Sequence, residues 1–246
     1  MILLSSLKVG SRMFGLDTPE SDKDFIRLTY APESVFNPKL KTNKTFVIPE
    51  TNSEGTQIEL SSLIGMLSRG DLKVAEAFCS DTMEGNPPLF VHPTFAPYMH
   101  RIVEVADGIP MLDTFKKELK RRYSKLWYRE VNPKARNYNA EQEYDSKYAA
   151  HLYRVIHEAM AYSINAKLTT RSLTTDEEFR KAYLDIKNGV KRKADVYDIV
   201  TQQMVIAEQA LDNMEDKPEY DFSSIESLYF EIYGIARSME EINEHA

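Results

Sequence analysis

The sequence predicts an α+β protein, and three observations carry that expectation. The first sixty residues hold short apolar or alternating runs bounded by Gly, Pro and Asn, the pattern of strands and turns. At Leu60 the apolar period changes: Leu60, Leu63, Ile64 and Leu67 fall at i, i+3, i+4 and i+7, which is helical. Beyond residue 94 the chain reads as helix after helix, broken by Pro or opened by capping patterns. The expected organisation is a small sheet with flanking helices over residues 1–90, followed by an all-helical domain over residues 91–246.

In order, Ile2–Val9 is an apolar strand that stops at Gly10-Ser11, and Phe25–Tyr30 is a second strand. Ala31–Lys39 is turn-rich, Thr45–Ile48 is a short strand before Pro49, Thr51–Gly55 is a polar loop, and Thr56–Leu60 alternates as a strand edging a core does. Gly70 ends the helix begun at Leu60, and Asp71 caps a short one carrying Val74, Ala77 and Phe78. Asn86-Pro87-Pro88 marks the domain boundary. A helix ending near Ala106 is followed by Ile109-Pro110, then by a helix over Leu112–Tyr128, a polar loop over Asn132–Asn139, and a long helix over Tyr144–Leu168. Thr174 with Glu177 and Ser223 with Glu226 fit capping boxes. These open helices over Asp176–Asn188 and Ile225–Ile242, with another over Ala194–Met214 between them. The last carries an apolar stripe (Ile225, Leu228, Tyr229, Ile232, Ala236, Met239), which reads as core or partner surface rather than a cofactor site.

Length and composition bound the function. The 246 residues are 42% hydrophobic and 28% charged, ordinary for a globular protein of one large or two small domains. A single cysteine, Cys79, excludes a disulfide framework and a cysteine-rich zinc site. His92, His100, His157 and His245 show no zinc-ligand spacing. No apolar run reaches membrane-spanning length and no signal peptide is evident, so no membrane association is expected and a cytoplasmic setting is. The net charge of −7 argues against uniform nucleic-acid coating, though not against a local basic patch.

The chemistry concentrates in Gly10-Ser11 … Asp22-Lys23-Asp24. Along a strand Asp22 and Asp24 share a face while Lys23 takes the other. Two carboxylates so close repel unless a cation lies between them. An all-oxygen set suits a hard ion such as Mg²⁺, which completes its shell from water and substrate phosphates. Gly10 lets backbone approach a phosphate, and Ser11 offers a hydroxyl and an N–H. Taken singly, Gly-Ser or Asp-x-Asp is commonly a turn or a solvated loop. The joint wording, Gly10-Ser11-Arg12, Phe14-Gly15-Leu16 and Thr18-Pro19-Glu20-Ser21-Asp22-Lys23-Asp24, is more specific.

That joint pattern resembles the signature of the DNA polymerase β-like nucleotidyltransferases. Its fuller wording is similar to a predicted branch associated with RNA repair, which has phage members. The resemblance extends more weakly through TQIELSSLIGMLSRGDLKVAEAF and KYAAHLYR. It implies a polymerase β-like sheet and metal-dependent transfer of a nucleoside monophosphate from an NTP to an acceptor hydroxyl. Pyrophosphate is released, and RNA, for instance a tRNA end, is the expected acceptor. Gly10, Ser11 and Arg12 would hold the triphosphate, and Asp22 and Asp24 would hold Mg²⁺ or Mn²⁺. A third carboxylate, expected from a neighbouring strand, would be Glu59, with Glu76 the alternative. Lys147, His151, Arg154 and Glu158 line one helix face; through the KYAAHLYR likeness, Lys147, His151 and Arg154 are read toward the triphosphate or acceptor. The other reading of that face is ordinary surface charge. The N-terminus leaves no room for a helix before the first strand, so by this resemblance a piece present in larger relatives is expected to be missing or supplied elsewhere. Two further readings stay open: a protein Tyr, Ser or Thr as acceptor, and a non-catalytic nucleotide-sensing or partner-binding module.

A basic segment runs from Lys116 to Arg136. It includes Lys120, Arg121 and Lys125, is opposed only by Glu118 and Glu130, and is interleaved with Phe115, Tyr123, Trp127, Tyr128 and Tyr138. Charge with aromatics is how single-stranded nucleic acid is commonly held. The same residues also fit a helix with a core-facing aromatic side and a solvated basic side.

Overall fold

The structure is a computed structural model that describes residues 2–18, 21, 23–30, 44–48, 53–127, 138–139, 143–214 and 223–244. Asp22, Glu20, the turns read over Ala31–Lys39, and Tyr128, Arg129, Glu130, Lys134 and Arg136 lie outside the described residues. The described chain is α+β and divides into two units: residues 1–109 with 219–246, and residues 110–218.

The first unit is built on a mixed sheet. Its strands are β1 (Ile2–Val9), β2 (Asp24–Tyr30), β3 (Lys44–Ile48), β4 (Ser53–Glu59) and β5 (Phe90–Val91), ordered β3-β4-β2-β1-β5. β1 runs antiparallel to β2 and β5, β3 antiparallel to β4, and β2 parallel to β4. Alternation explains the layering: Leu7 and Val9 pair with Ile26 and Asp24, and Leu7, Val9, Ile26 and Leu28 are buried. Lys8, Phe25 and Arg27, on the other face, are half-buried. Helices α1 (Leu60–Ser68), α2 (Leu72–Phe78), α3 (Ser80–Gly85) and α4 (Ala96–Gly108) follow. Asp71 caps α2 as expected, accepting from the Val74 N–H at 3.1 Å.

Two features depart from the sequence reading. The boundary lies at Ile109/Pro110, not near residue 90, because α4 buries Met99, Ile102 and Ala106 and packs on α2. The C-terminal helix, α9 (Ser223–Glu244), belongs to the first unit rather than to a helical domain running to residue 246. The described part of its stripe is core: Ile225, Leu228 and Ile232 are buried against α1 and α4, and the Tyr233 ring meets Tyr30 edge-on at 5.5 Å.

The second unit holds α5 (Leu112–Trp127), a two-stranded ribbon of β6 (Tyr138–Asn139) and β7 (Tyr144–Asp145), α6 (Ser146–Asn165), α7 (Glu177–Lys187) and α8 (Lys193–Asp212). α6 is central and packs on the other three helices. Asp145 caps it, accepting from the Tyr148 N–H at 3.0 Å, and Ala166, left-handed at φ 52°, ends it. The cap of α7 is Asp176, which accepts from Glu178 and Phe179 at 2.8 and 3.0 Å. Thr174, the cap expected from the sequence, instead donates to the Arg171 carbonyl within a 3₁₀ turn.

Candidate active site

The Gly-Ser corner begins where β1 ends. Gly10–Arg12 form a 3₁₀ turn, with the Met13 N–H donating to the Gly10 carbonyl at 3.1 Å. Gly10 is left-handed at φ 68°, a conformation that glycine adopts without a Cβ penalty. A Cβ there would lie 2.5 Å from Asp24 Oδ2, well inside van der Waals contact. The glycine is therefore required twice, by its backbone angle and by the carboxylate lying across it. The turn is anchored from below: Met13, Phe14 and Leu16 are buried, and the Leu16 N–H donates to the Ser11 carbonyl at 2.9 Å. The motif's aromatic-Gly-Leu thus supplies the apolar footing that fixes the loop.

The return to β2 is fixed by a reciprocal turn. The Thr18 N–H donates to Ser21 Oγ at 2.9 Å, and the Ser21 N–H to the Thr18 carbonyl at 2.9 Å. This closes the loop immediately before Asp-Lys-Asp. Opposite, Asn86 Nδ2 donates to the Lys8 carbonyl at 2.9 Å, tying β1 to the chain after α3. Gly10, Ser11, Arg12 and Asp24 are all half-buried, so this corner is both held in place and open to solvent. The structure brings Gly10 and Asp24 into contact; Asp22 lies outside the described residues.

Glu59 is not part of this corner. In the parallel β2–β4 pair Asp24 lies opposite Glu54, and Thr29 opposite Glu59. Glu59 is thus five positions along the strand from Asp24's level, about 16 Å at strand rise. An odd offset also sends it to the other face. There it caps α1: its carboxylate accepts from the Ser61 N–H at 2.8 Å and from the Ser61 hydroxyl. The expected third carboxylate is therefore a helix cap, and the acidic residue in register with Asp24 is Glu54. Glu54 falls in Thr51–Gly55, for which the sequence predicts a polar loop, whereas β4 begins at Ser53. Glu76, the alternative, is buried on α2.

The Asp24 carboxylate, at a corner cleared by glycine, is the kind of oxygen donor a hard divalent cation takes beside a phosphate. Asp22, the other ligand expected from the sequence, lies outside the described residues. Among the described residues no three His, Cys, Asp or Glu side chains are grouped as metal ligands.

Lys147, His151 and Arg154 belong to the second unit and sit on α6. Their face runs from solvent into the core. Lys147 is exposed and His151 half-buried, while Arg154 and Glu158 are both buried and joined as an ion pair. Arg154, read from the sequence toward the triphosphate or acceptor, lies inside the bundle with its guanidinium on Glu158. His151 is held neutral, its pKa well below the usual range, first by burial and then by the charges of Arg154, Arg122 and Lys147.

In the described part of the basic segment Phe115, Tyr123 and Trp127 pack within the unit. Phe115 is fully buried and tilts against Tyr162 at 5.3 Å. The Tyr123 hydroxyl bonds with that of Thr201 at 2.9 Å, and Trp127 meets Tyr197 edge-on at 5.1 Å. Lys117, Lys120, Arg121 and Lys125 are exposed. Lys125 Nζ lies 4.7 Å from the centre of the Tyr148 ring, and Arg121 grips Glu118 at 3.1 and 2.6 Å. Burial alone would raise the Glu118 carboxyl, but Arg121 and Arg122 outweigh it and hold it below the usual value.

Among the described residues no helix is long and apolar enough to cross a membrane. The sequence matches no protein-family model and no curated protein.

Proposed function

We propose that the chain is a polymerase β-like nucleotidyltransferase that moves a nucleoside monophosphate from an NTP to an acceptor hydroxyl. The observation that carries this reading is the contact between Asp24 and Gly10. It joins the phosphate-approach element and the metal-binding strand of the Gly-Ser … Asp-x-Asp pattern at one open corner. In the reaction the acceptor oxygen forms a bond to the α-phosphorus and the bond to the pyrophosphate oxygen breaks. The hydroxyl proton passes to solvent and pyrophosphate leaves. Gly10 and Ser11 let the triphosphate approach the backbone and donate to it; Arg12, on the same turn, balances its charge. Asp22 and Asp24 hold the cation. Glu54, whose backbone is in register with Asp24, is the source proposed for the third carboxylate in place of Glu59. When bound, Mg²⁺ or Mn²⁺ supplies charge neutralisation for the phosphates and acidifies the attacking hydroxyl. The cytoplasm, where NTPs are abundant and a free buried thiol such as Cys79 stays reduced, suits this activity.

The test is incubation with each α-labelled NTP, Mg²⁺ or Mn²⁺, and either total RNA or lysate protein. Label on a macromolecule, lost with chelator and with Asp24→Asn, is the expected result. Label on protein alone keeps the chemistry and makes the acceptor a side-chain hydroxyl. No label under any condition leaves a nucleotide-binding module and overturns the reading.

A further inference from the structure

We propose that the solvent face of α5 holds the sugar–phosphate backbone of a single-stranded nucleic acid, with Tyr197 beside it stacking an unpaired base. Calling that strand the acceptor rests on the transfer reading above; the binding surface itself does not.

Lys117, Lys120, Arg121, Ser124 and Lys125 fall at i, i+3, i+4, i+7 and i+8, and all are exposed. They form one stripe about 12 Å long at helical rise, enough to follow a short run of nucleotides. The opposite face is spent on packing, since Phe115, Leu119 and Leu126 are buried. Between Lys116 and Lys125 the only carboxylate is Glu118, and it lies on the flank, engaged with Arg121 and Arg122. A dense local cation array on a chain of net charge −7 concentrates potential where a polyanion would be steered. At the other flank Lys116 is paired to Asp212 at 2.8 Å. There Trp127 and Tyr123 form an aromatic cluster whose exposed member is Tyr197, on α8, 42% accessible.

Two features favour a nucleic acid over an anionic lipid surface. The only uncharged residue of the stripe is Ser124, so nothing apolar is offered for insertion, which an interfacial helix needs. An exposed ring beside the cations matches the pairing of backbone charge with base stacking.

The experiment measures binding of a short labelled single-stranded RNA by anisotropy, without NTP, over a range of salt concentrations. The triple variant K120A/R121A/K125A is expected to bind at least about tenfold more weakly at low salt. Its log K versus log salt slope should be flatter by roughly 2, at about 0.7 per lost contact. Tyr197→Ala is expected to lose roughly tenfold with an unchanged slope. If the triple variant is poorly folded, the double variant K117Q/K120Q, which breaks none of the ion pairs described above, carries the same prediction with about two-thirds of the slope change. Parental affinity and slope in a folded charge variant would overturn the proposal, as would failure of the parent to bind RNA at low salt, or equal binding to anionic vesicles. The two readings separate cleanly. Failure of the transfer chemistry shows as RNA bound but never labelled, whereas failure of this surface shows as RNA labelled by the triple variant at the parental rate.

Discussion

Asp24 and Arg154 are charged residues from two motif-like stretches, and the two units use them in opposite ways. Asp24 stands half-buried at the start of β2, over a glycine that clears space for it. Arg154 is 1% accessible in the middle of α6 and spends its charge on Glu158 one turn away. A carboxylate at an open corner, with the backbone shaped around it, can be reached from solvent. A charge sealed inside a helix bundle is committed to the fold, because its partner would otherwise be left uncompensated at low dielectric. Proximity to a motif therefore says less than whether the side chain can be reached from solvent.

Breaking the buried pair gives the largest expected effect on stability. Arg154→Ala leaves the Glu158 carboxylate buried without its partner and should cost about 3–5 kcal/mol by denaturant unfolding. Replacing both, with Arg154→Met and Glu158→Leu, should recover most of that loss, since an apolar pair of similar volume is often neutral. Near-parental stability of Arg154→Ala, together with a raised KM for NTP, would return Arg154 to the phosphate-binding role.

At the open corner the expectation inverts. Asp24→Asn keeps the shape and removes the charge. It should lower turnover on the order of 100- to 1000-fold while the melting temperature holds or rises. Normal turnover in this variant would sink the assignment of the corner. A fall in stability comparable to that of Arg154→Ala would show that the two charges are not used differently after all.

The contrast also explains what the sequence could disclose. β1, β2, α1, α6 and α8 were legible because each buries one face and carries that face's period in its own residues. The turn at Gly10 was legible because a left-handed backbone and a close approach both need glycine. Other features depend on partners distant in sequence. β5 is two residues following Pro87-Pro88, and only its pairing with Ser5 and Ser6 makes it a strand. The stripe of α9 announced a buried face but not which unit would bury it. Arg154 and Glu158, at i and i+4, look the same on paper whether the helix face is wet or dry.

Acid provides a probe of the second unit. His157 lies among Tyr153 and Phe179, with ring centres at 4.5 and 5.0 Å. Burial lowers its pKa to about 4, against a smaller opposing pull from Asp176. Its unfolded value is about 6.5, so above that pH both states are neutral and the site has its full stability. As pH falls from about 6.5 to about 4, the unfolded chain gains the proton first and stability declines, by at most about 3 kcal/mol. His151, shifted in the same direction, adds to the loss. His157→Phe should flatten the pH dependence of unfolding over that window, and an unchanged profile would show that this ring is not its source.

The smallest expected effect decides between the two glutamates of β4. Glu59 caps α1 through Ser61, and loss of a side-chain cap costs about 1 kcal/mol. Glu59→Ala should therefore lower stability by that amount and leave kcat nearly unchanged, because the residue lies at the far end of the strand from Asp24. Glu54→Gln should do the reverse, lowering kcat with little change in nucleotide affinity or stability, as expected of a group engaged mainly when the attacking oxygen is activated. The pair is read by measuring kcat, nucleotide affinity and unfolding on both variants. If kcat instead collapses in Glu59→Ala and not in Glu54→Gln, with stability unmoved in both, then the parallel register of β2 and β4 does not describe the active protein. The third carboxylate would then return to the position the motif first indicated.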